Sequence, residues 1–290
     1  MKKRLNKNRV PLDSSLKRLF FAGLKYFALF VITVLSLGPI LWVFLSSFKS
    51  HQELFSGSPF SLPAHITFEN YKKALELAPI GRFFTNSLII CLANTALSII
   101  IVSCCAYVAA RFDFKLKKVM VLFITAALLL PAQSISQPIF AMFKVFRLFD
   151  TKTGLVFVYL AFSIPVTFYI MRSYFLSIPR SLEESAYMDG AGFLRTYLQI
   201  IVPLAKPGMA TAAVLQFLSS WNEFYFALML TSGNNARTVP IALNYYTSMF
   251  NSQYGSLFAA VTLTILPTII IFVFTQEQVV ESLTAGALKG

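Results

Sequence analysis

The sequence predicts an all-α membrane protein with six transmembrane helices and both termini in the cytoplasm. Three observations carry this. Of 290 residues, 57% are hydrophobic and only 13% are charged, with a mean hydropathy of +0.68, a balance that fits lipid rather than water as solvent. Residues 26–48, 83–110, 119–143 and 153–171 contain no Lys, Arg, Asp or Glu, and each run reaches the roughly 18 residues that cross a hydrocarbon core as a helix. Two further apolar stretches, about 208–230 and 256–276, complete the six. Finally, 17 of the 25 Lys and Arg residues fall in the segments on the side of the two termini: eight before the first run, four in 111–118, four in 172–206, and Lys289. Basic excess marks the cytoplasmic side.

These elements divide the chain into a basic tail (1–25), a first helix with its outer loop (26–82), a core (83–276) that carries a cytoplasmic loop at 181–207, and a C-terminal tail (277–290). The first apolar run is longer than the 7–15 residues of a signal-peptide core, so a signal anchor is expected. In the outer loop, residues 67–77 read as an amphipathic interfacial helix. Cys91, Cys104 and Cys105 all lie in the second span; their spacing matches no metal site, and small apolar packing residues are expected.

The third span contains Pro131 and Pro138, each of which removes a helix hydrogen bond. Gln133, Ser134, Ser136 and Gln137 stand beside them. Two readings stay open: a kinked helix whose polar side chains repair its own backbone, or the polar lining of a cavity. Glu223 is the ionisable residue within a predicted span, and at about 1.5 Å per residue from Gly208 it lies in the outer half of the bilayer. An intramembrane carboxylate is a functional candidate; the alternative is a helix-end residue reaching the interface beside Trp221 and Tyr225. Gln137, Asn222, Glu223 and Tyr225 are the candidates for a substrate pathway. The 231–237 turn-rich segment is either a plain solvated loop or a probe of an external partner.

Several function classes lack support. Histidine occurs only at 51 and 65, and HExxH, CxxC, GxSxG and GxxxxGK[ST] are absent, so no enzyme motif appears and no phosphate loop for ATP exists in this chain. The net charge of +13 is explained by basic tails held at an anionic inner leaflet, without nucleic acid.

The most informative segment is 181–207. Ser181-Leu182-Glu183-Glu184 fits a capping box, with Ser181 as N-cap and Glu184 at the third position. Gly190 permits a left-handed turn that ends the helix, and a second short helix runs from about Phe193 to Val202, where Pro203 stops it. Its apolar residues, among them Leu182, Phe193, Leu194 and Ile200, exceed what one side of a short loop needs. Two readings stay open: a loop packed only on its own helix ends, or a knob that enters a partner's groove.

Glu184-Ser185-Ala186, Gly190, Ile200 and Val202-Pro203 resemble the cytoplasmic signature of binding-protein-dependent ABC importer permeases, and Asp189-Gly190-Ala191 matches its common form. Ser185 and Val202 depart from the usual Ala and Leu. Phe68-Glu69-Asn70-Tyr71, Phe84-Thr85-Asn86-Ser87, Trp221-Asn222-Glu223-Phe224, Arg237-Thr238-Val239-Pro240 and the tail from Leu283 are similar to the carbohydrate-uptake branch, of the maltose-type second subunit. The resemblance implies the type I importer fold in a bacterial plasma membrane. It implies a second permease, usually a different chain, two ATPase subunits that hold ATP and Mg, an extracellular solute-binding protein, and a sugar substrate; this chain would bind no cofactor. Glu184, Ser185, Ala186, Asp189, Gly190, Ala191 and Pro203 would form the coupling site in an ATPase cleft, with Glu184 either capping its own helix or pairing with an ATPase cation. Thr284, Gly286 and Lys289 would reach the ATPase interface, a frayed terminus being the alternative. A permease of this type for another solute, an ion-coupled secondary transporter and a non-transporting scaffold are the rival readings.

Overall fold

The computed structural model describes residues 12–58, 60–247 and 253–287, and every regular element among them is helical. In chain order the helices are α1 (Leu12–Ser46), α2 (His51–Ser56), α3 (Glu69–Leu77), α4 (Ile80–Arg111), α5 (Lys117–Leu129), α6 (Ser136–Val145), α7 (Lys152–Ser177), α8 (Ser181–Met188), α9 (Phe193–Thr196), α10 (Val202–Leu204), α11 (Lys206–Trp221), α12 (Tyr225–Leu230), α13 (Val239–Ala242), α14 (Asn244–Thr247) and α15 (Tyr254–Ala287). Four of them, α1, α4, α7 and α15, contain stretches long and apolar enough to cross a membrane; the number is six if each of two bent pairs counts as one span.

The first bent pair is the proline-bearing third span. Pro131 forces Leu130 out of helical geometry, to ψ 113°, because its ring crowds the preceding residue. A 3-10 turn (Ala132–Ile135) follows, and α6 leaves at 98° to α5. The expected kink is therefore a full break. Pro138 causes none, since it sits in the first turn of α6, where N–H groups lack intrahelical partners anyway. The repair is visible too: Ser136 Oγ donates to Gln133 O at 2.7 Å.

α4 and α7 form the central pair, with α11 packed on both and α15 behind α11. Small residues permit the close approach: Ala106, Ala109 and Ala110 of α4 are buried in one cluster with Phe168, Met171 and Phe175 of α7. Gly208 at the start of α11 has the same role, because a Cβ there would lie 2.3 Å from the Tyr174 ring. α1 stands outside this core. None of its apolar window is buried in this chain, and it meets α15 through Trp42 on Phe258, at 5.2 Å between rings.

One end of the bundle gathers α2, α3, α13 and α14. The predicted 67–77 helix is α3, and it is docked rather than loose: Ala74 is buried and its carbonyl accepts from Tyr246 Oη at 2.6 Å. The 231–237 segment is likewise pinned. Ser232 N and Gly233 N donate to Asp150 Oδ1, each at 3.0 Å, and Asn86 Nδ2 donates to Asn234 O and Arg237 O. The predicted fifth span ends at Trp221 and resumes as α12.

Candidate functional site

Two places concentrate polar groups. The first is the 181–205 segment at the other end of the bundle. Its helix α8 differs from the expected capping box. Arg180, not Ser181, is the N-cap residue, and no side chain caps the helix. Glu183 N and Glu184 N both donate to Arg180 O, at 2.9 and 3.1 Å, so the helix starts one residue early and Ser181 becomes its first turn. The Glu184 carboxylate therefore has no local partner; it is exposed, as are Ser185 and Asp189.

Its neighbour Glu183 does the internal work. Its carboxylate meets Arg111 Nε at 2.6 Å, with both side chains more than nine-tenths buried. Arg111 also donates to Ile178 O at 2.8 Å. One guanidinium thus ties the C-terminus of α4, the C-cap of α7 and the first turn of α8. Each charge sits at the helix end whose dipole favours it, the cation in the last turn of α4 and the anion in the first turn of α8.

The turn after α8 is as expected. Gly190 has φ +76°, its N–H donates to Tyr187 O at 3.0 Å, and Ala191 N donates to Ala186 O at 2.9 Å. This pair of bonds is the Schellman closure, for which a left-handed glycine is suited. The second helix does not stop at Pro203. A π turn (Tyr197–Ile201) widens it, with Val202 N–H donating to Tyr197 O, which makes room for the proline ring. It ends at Leu204 and bends 73° into α11. The segment is held down by aromatic contacts: Tyr107 of α4 lies 4.9 Å from Tyr197 and 5.7 Å from Phe193, and Tyr197 Oη bonds Ser103 Oγ at 2.7 Å. Its outer face is apolar and open, with Met188 at the tip 88% exposed and Leu194 and Leu198 beside it.

The second place is a cavity of about 280 Å³ between α7, α11, α12 and the break after α5. α7 contributes Tyr159, Ser163 and Thr167, α11 contributes Gln216, Ser219 and Ser220, and Glu223 comes from the turn between α11 and α12. Spacings of three and four put each set on one helix face. Behind this wall, α4 fixes the polar groups: Asn94 Nδ2 donates to Ser220 Oγ at 2.6 Å, and Ser98 Oγ bonds Ser163 Oγ at 3.1 Å and Thr167 Oγ1 at 3.3 Å. Glu223 accepts from Phe226 N at 2.7 Å and Ala227 N at 3.0 Å, so its carboxylate holds the free N–H groups at the start of α12. The carboxylate faces the cavity, and Trp221 is buried with its indole against Thr264 O.

Of the four sequence candidates for a pathway, Glu223 and Tyr225 line this cavity, with Gln133 from the helix break; Gln137 and Asn222 are not among its lining residues. Gln137 is exposed, and Asn222 returns its amide to Leu218 O. Tyr159, Ser163, Thr167 and Gln216 went unread, although Tyr159, Ser163 and Thr167 recur every four residues inside an apolar run. Thr284 and Gly286 fall in the last turns of α15, and Lys289 lies outside the described residues.

A bundle of apolar helices with a broken span and a polar cavity suits a transport permease, and the family and relatives of this chain are transport permeases rather than enzymes. The chain belongs to the binding-protein-dependent transport system inner membrane component family, which matches residues 101–284. It is 35% identical over 271 residues to the diacetylchitobiose uptake system permease protein of Streptomyces coelicolor, covering 93% of this chain and 89% of that one. It is also 35% identical to the trehalose transport system permease protein of Mycobacterium tuberculosis, over 87% of this chain and 92% of that one. The fold is that of a type I ABC importer permease. It superposes with a TM-score of 0.79 and 25% identity, over 90% of this chain and 97% of the other, on a chain of a bacterial ABC transporter involved in import of the acidic polysaccharide alginate.

Proposed function

We propose that this chain is one permease subunit of an ATP-driven sugar importer in a bacterial plasma membrane. It pairs with a second permease, receives a mono- or oligosaccharide from an extracellular binding protein, and is driven by two ATPase subunits that carry ATP and Mg. The observation that supports this best is the 181–205 segment: a helix without a local partner for Glu184, an exposed apolar tip, and a base locked to two spans by Arg111 and Glu183. On the proposed topology this face lies in the cytoplasm, where an ATPase groove would receive it. A rigid-body push on α8 then reaches α4 and α7 directly, because the buried pair leaves no slack between them. Sugar as the cargo draws on the relatives' substrates and on a cavity rich in hydroxyl and amide groups. The C-terminal turns at Thr284 and Gly286 are a second contact with the ATPases in this reading.

Ion coupling is the weaker reading, since the intramembrane carboxylate Glu223 is occupied with two backbone donors. Uptake of labelled disaccharides into vesicles containing the purified complex decides between them. The importer reading expects uptake that needs internal ATP and the binding protein and that survives a protonophore. Uptake without ATP, abolished by the protonophore, contradicts it.

A further inference from the structure

We propose that the groove between α5 and α7 holds an anionic phospholipid, with one acyl chain on its apolar floor and the headgroup phosphate on Arg172. The inference goes beyond the importer reading and does not depend on the cargo. A second cavity, of about 420 Å³, opens between α5, α6 and α7, and every side chain that lines it is apolar, among them Leu128, Ile139, Phe157, Ala161 and Pro165. It is open to the outside of the bundle: Leu128, Leu130 and Phe157 are exposed, and no residue of α5 or α6 is buried. A single turn of a helix about 10 Å across already fills such a volume, so the space suits a thinner chain.

A charge stands at one end of the same groove. On α7, Pro165 lines the groove and Tyr169 bonds Thr125 of α5. Arg172 follows them at spacings of seven and three, which keep it on that helix face. Its Nε is buried with no hydrogen-bond partner, and no carboxylate pairs with it among the described residues. A guanidinium left open in this way draws an anion, and its fork of donors matches a phosphate. Lys118, exposed in the first turn of α5, stands seven residues from Thr125 on the same face and adds a second cation. Lys117 beside it is already occupied by Phe112 O and Asp113.

The depth matches a lipid of one leaflet. Pro165 and Ala161 lie about 10 and 16 Å along α7 from Arg172, and the hydrocarbon of a single leaflet is about 15 Å thick. On the proposed topology Arg172 is at the cytoplasmic end of α7, where basic pockets between spans bind anionic headgroups. Phe162 lines both this groove and the polar cavity, so a bound acyl chain backs the cavity wall.

The test uses the complete transporter in nanodiscs of phosphatidylcholine with a minor fraction of phosphatidylglycerol. The two leaflets are alike, so the outcome depends neither on orientation nor on transport. Lipid retained after transfer to detergent is counted by native mass spectrometry. The wild type is expected to retain phosphatidylglycerol over phosphatidylcholine, relative to their input. Arg172→Gln is expected to lower that preference about fivefold, the effect of one cation at a membrane surface, and Arg172→Lys to keep most of it. Ala161→Phe, which fills the groove, is expected to lower retention of either lipid. The same preference in wild type and Arg172→Gln overturns the headgroup site, and unchanged retention in Ala161→Phe overturns the acyl groove. Loss of the second permease from the purified Arg172→Gln complex, with bound lipid unchanged, assigns this face to the partner chain and overturns the proposal. None of these failures touches the importer reading, which stands on ATP-dependent uptake.

Discussion

At the 181–205 joint, the buried charges of Arg111 and Glu183 meet each other at 2.6 Å and the remaining guanidinium donor finds Ile178 O. At the cavity, further along α7, hydroxyl and amide groups form the wall, and the lining carboxylate, Glu223, is held by the N–H groups of Phe226 and Ala227. The same apolar chain thus treats buried polar atoms in two ways. Where α4, α7 and α8 meet, a full cation and a full anion are buried together, and the cost of desolvation is offset between them. Around the cavity, neutral hydroxyls and amides bond one another across α4, α7 and α11. The joint rests on a charge pair, and the cavity wall on neutral hydrogen bonds.

The joint is the place to break first. Arg111→Ala leaves the Glu183 charge buried and unpaired, and a loss of about 3–5 kcal/mol is expected, read as a lowered midpoint in thermal unfolding of the purified complex. The double change Arg111→Met with Glu183→Leu removes both charges and is expected to recover most of that stability. Recovery of stability without recovery of coupled ATP hydrolysis would show that the pair transmits as well as holds.

The cavity wall comes next. Ser220→Ala strands donors on Asn94 and Gln216, and about 1–3 kcal/mol of destabilisation follows, smaller than at the joint because no full charge is exposed to the interior. Equal losses at the two sites would erase the distinction drawn between them.

The smallest effect belongs to the solvent-exposed capping box of α2. Ser50 N–H donates to the Glu53 carboxylate at 2.9 Å and Ala64 N donates to it at 3.1 Å. The Ser50 backbone bond is the main cause that holds the Glu53 carboxyl below its ordinary value of 4.5. A depressed folded value means that the contribution is complete above the unfolded pKa and is lost as pH falls through the folded one. Hydrogen exchange at the first amides of α2 is expected to speed up below about pH 4.5, and Glu53→Gln is expected to remove that pH dependence. The core amides of α4 should not respond.

Much of this was legible locally. Charge-free runs place the spans, Pro131 marks the break, and Gly190 marks the turn, because each depends on residues within one or two turns. The capping box misled for an equally local reason: Ser181-Leu182-Glu183-Glu184 has the right letters, but the Arg180 carbonyl already receives the Glu184 N–H that the Ser181 side chain was expected to accept. The role of Glu183 was out of reach, because Arg111 lies 72 residues from it. Two adjacent glutamates look equivalent in sequence; the start of α8 turns one inward and the other out.

That contrast gives the most direct measurement. Glu184→Gln and Glu183→Gln are compared for thermal stability and for ATP hydrolysis coupled to sugar uptake in vesicles. Glu184→Gln is expected to change stability by less than about 0.5 kcal/mol and to lower coupled hydrolysis roughly tenfold or more, as loss of a charge-assisted contact to a partner would. Glu183→Gln is expected to lose stability first. Wild-type coupling in Glu184→Gln, or a large loss of stability in it, would contradict the account of 181–205 as a transmitting joint with one glutamate for the fold and the other for the partner.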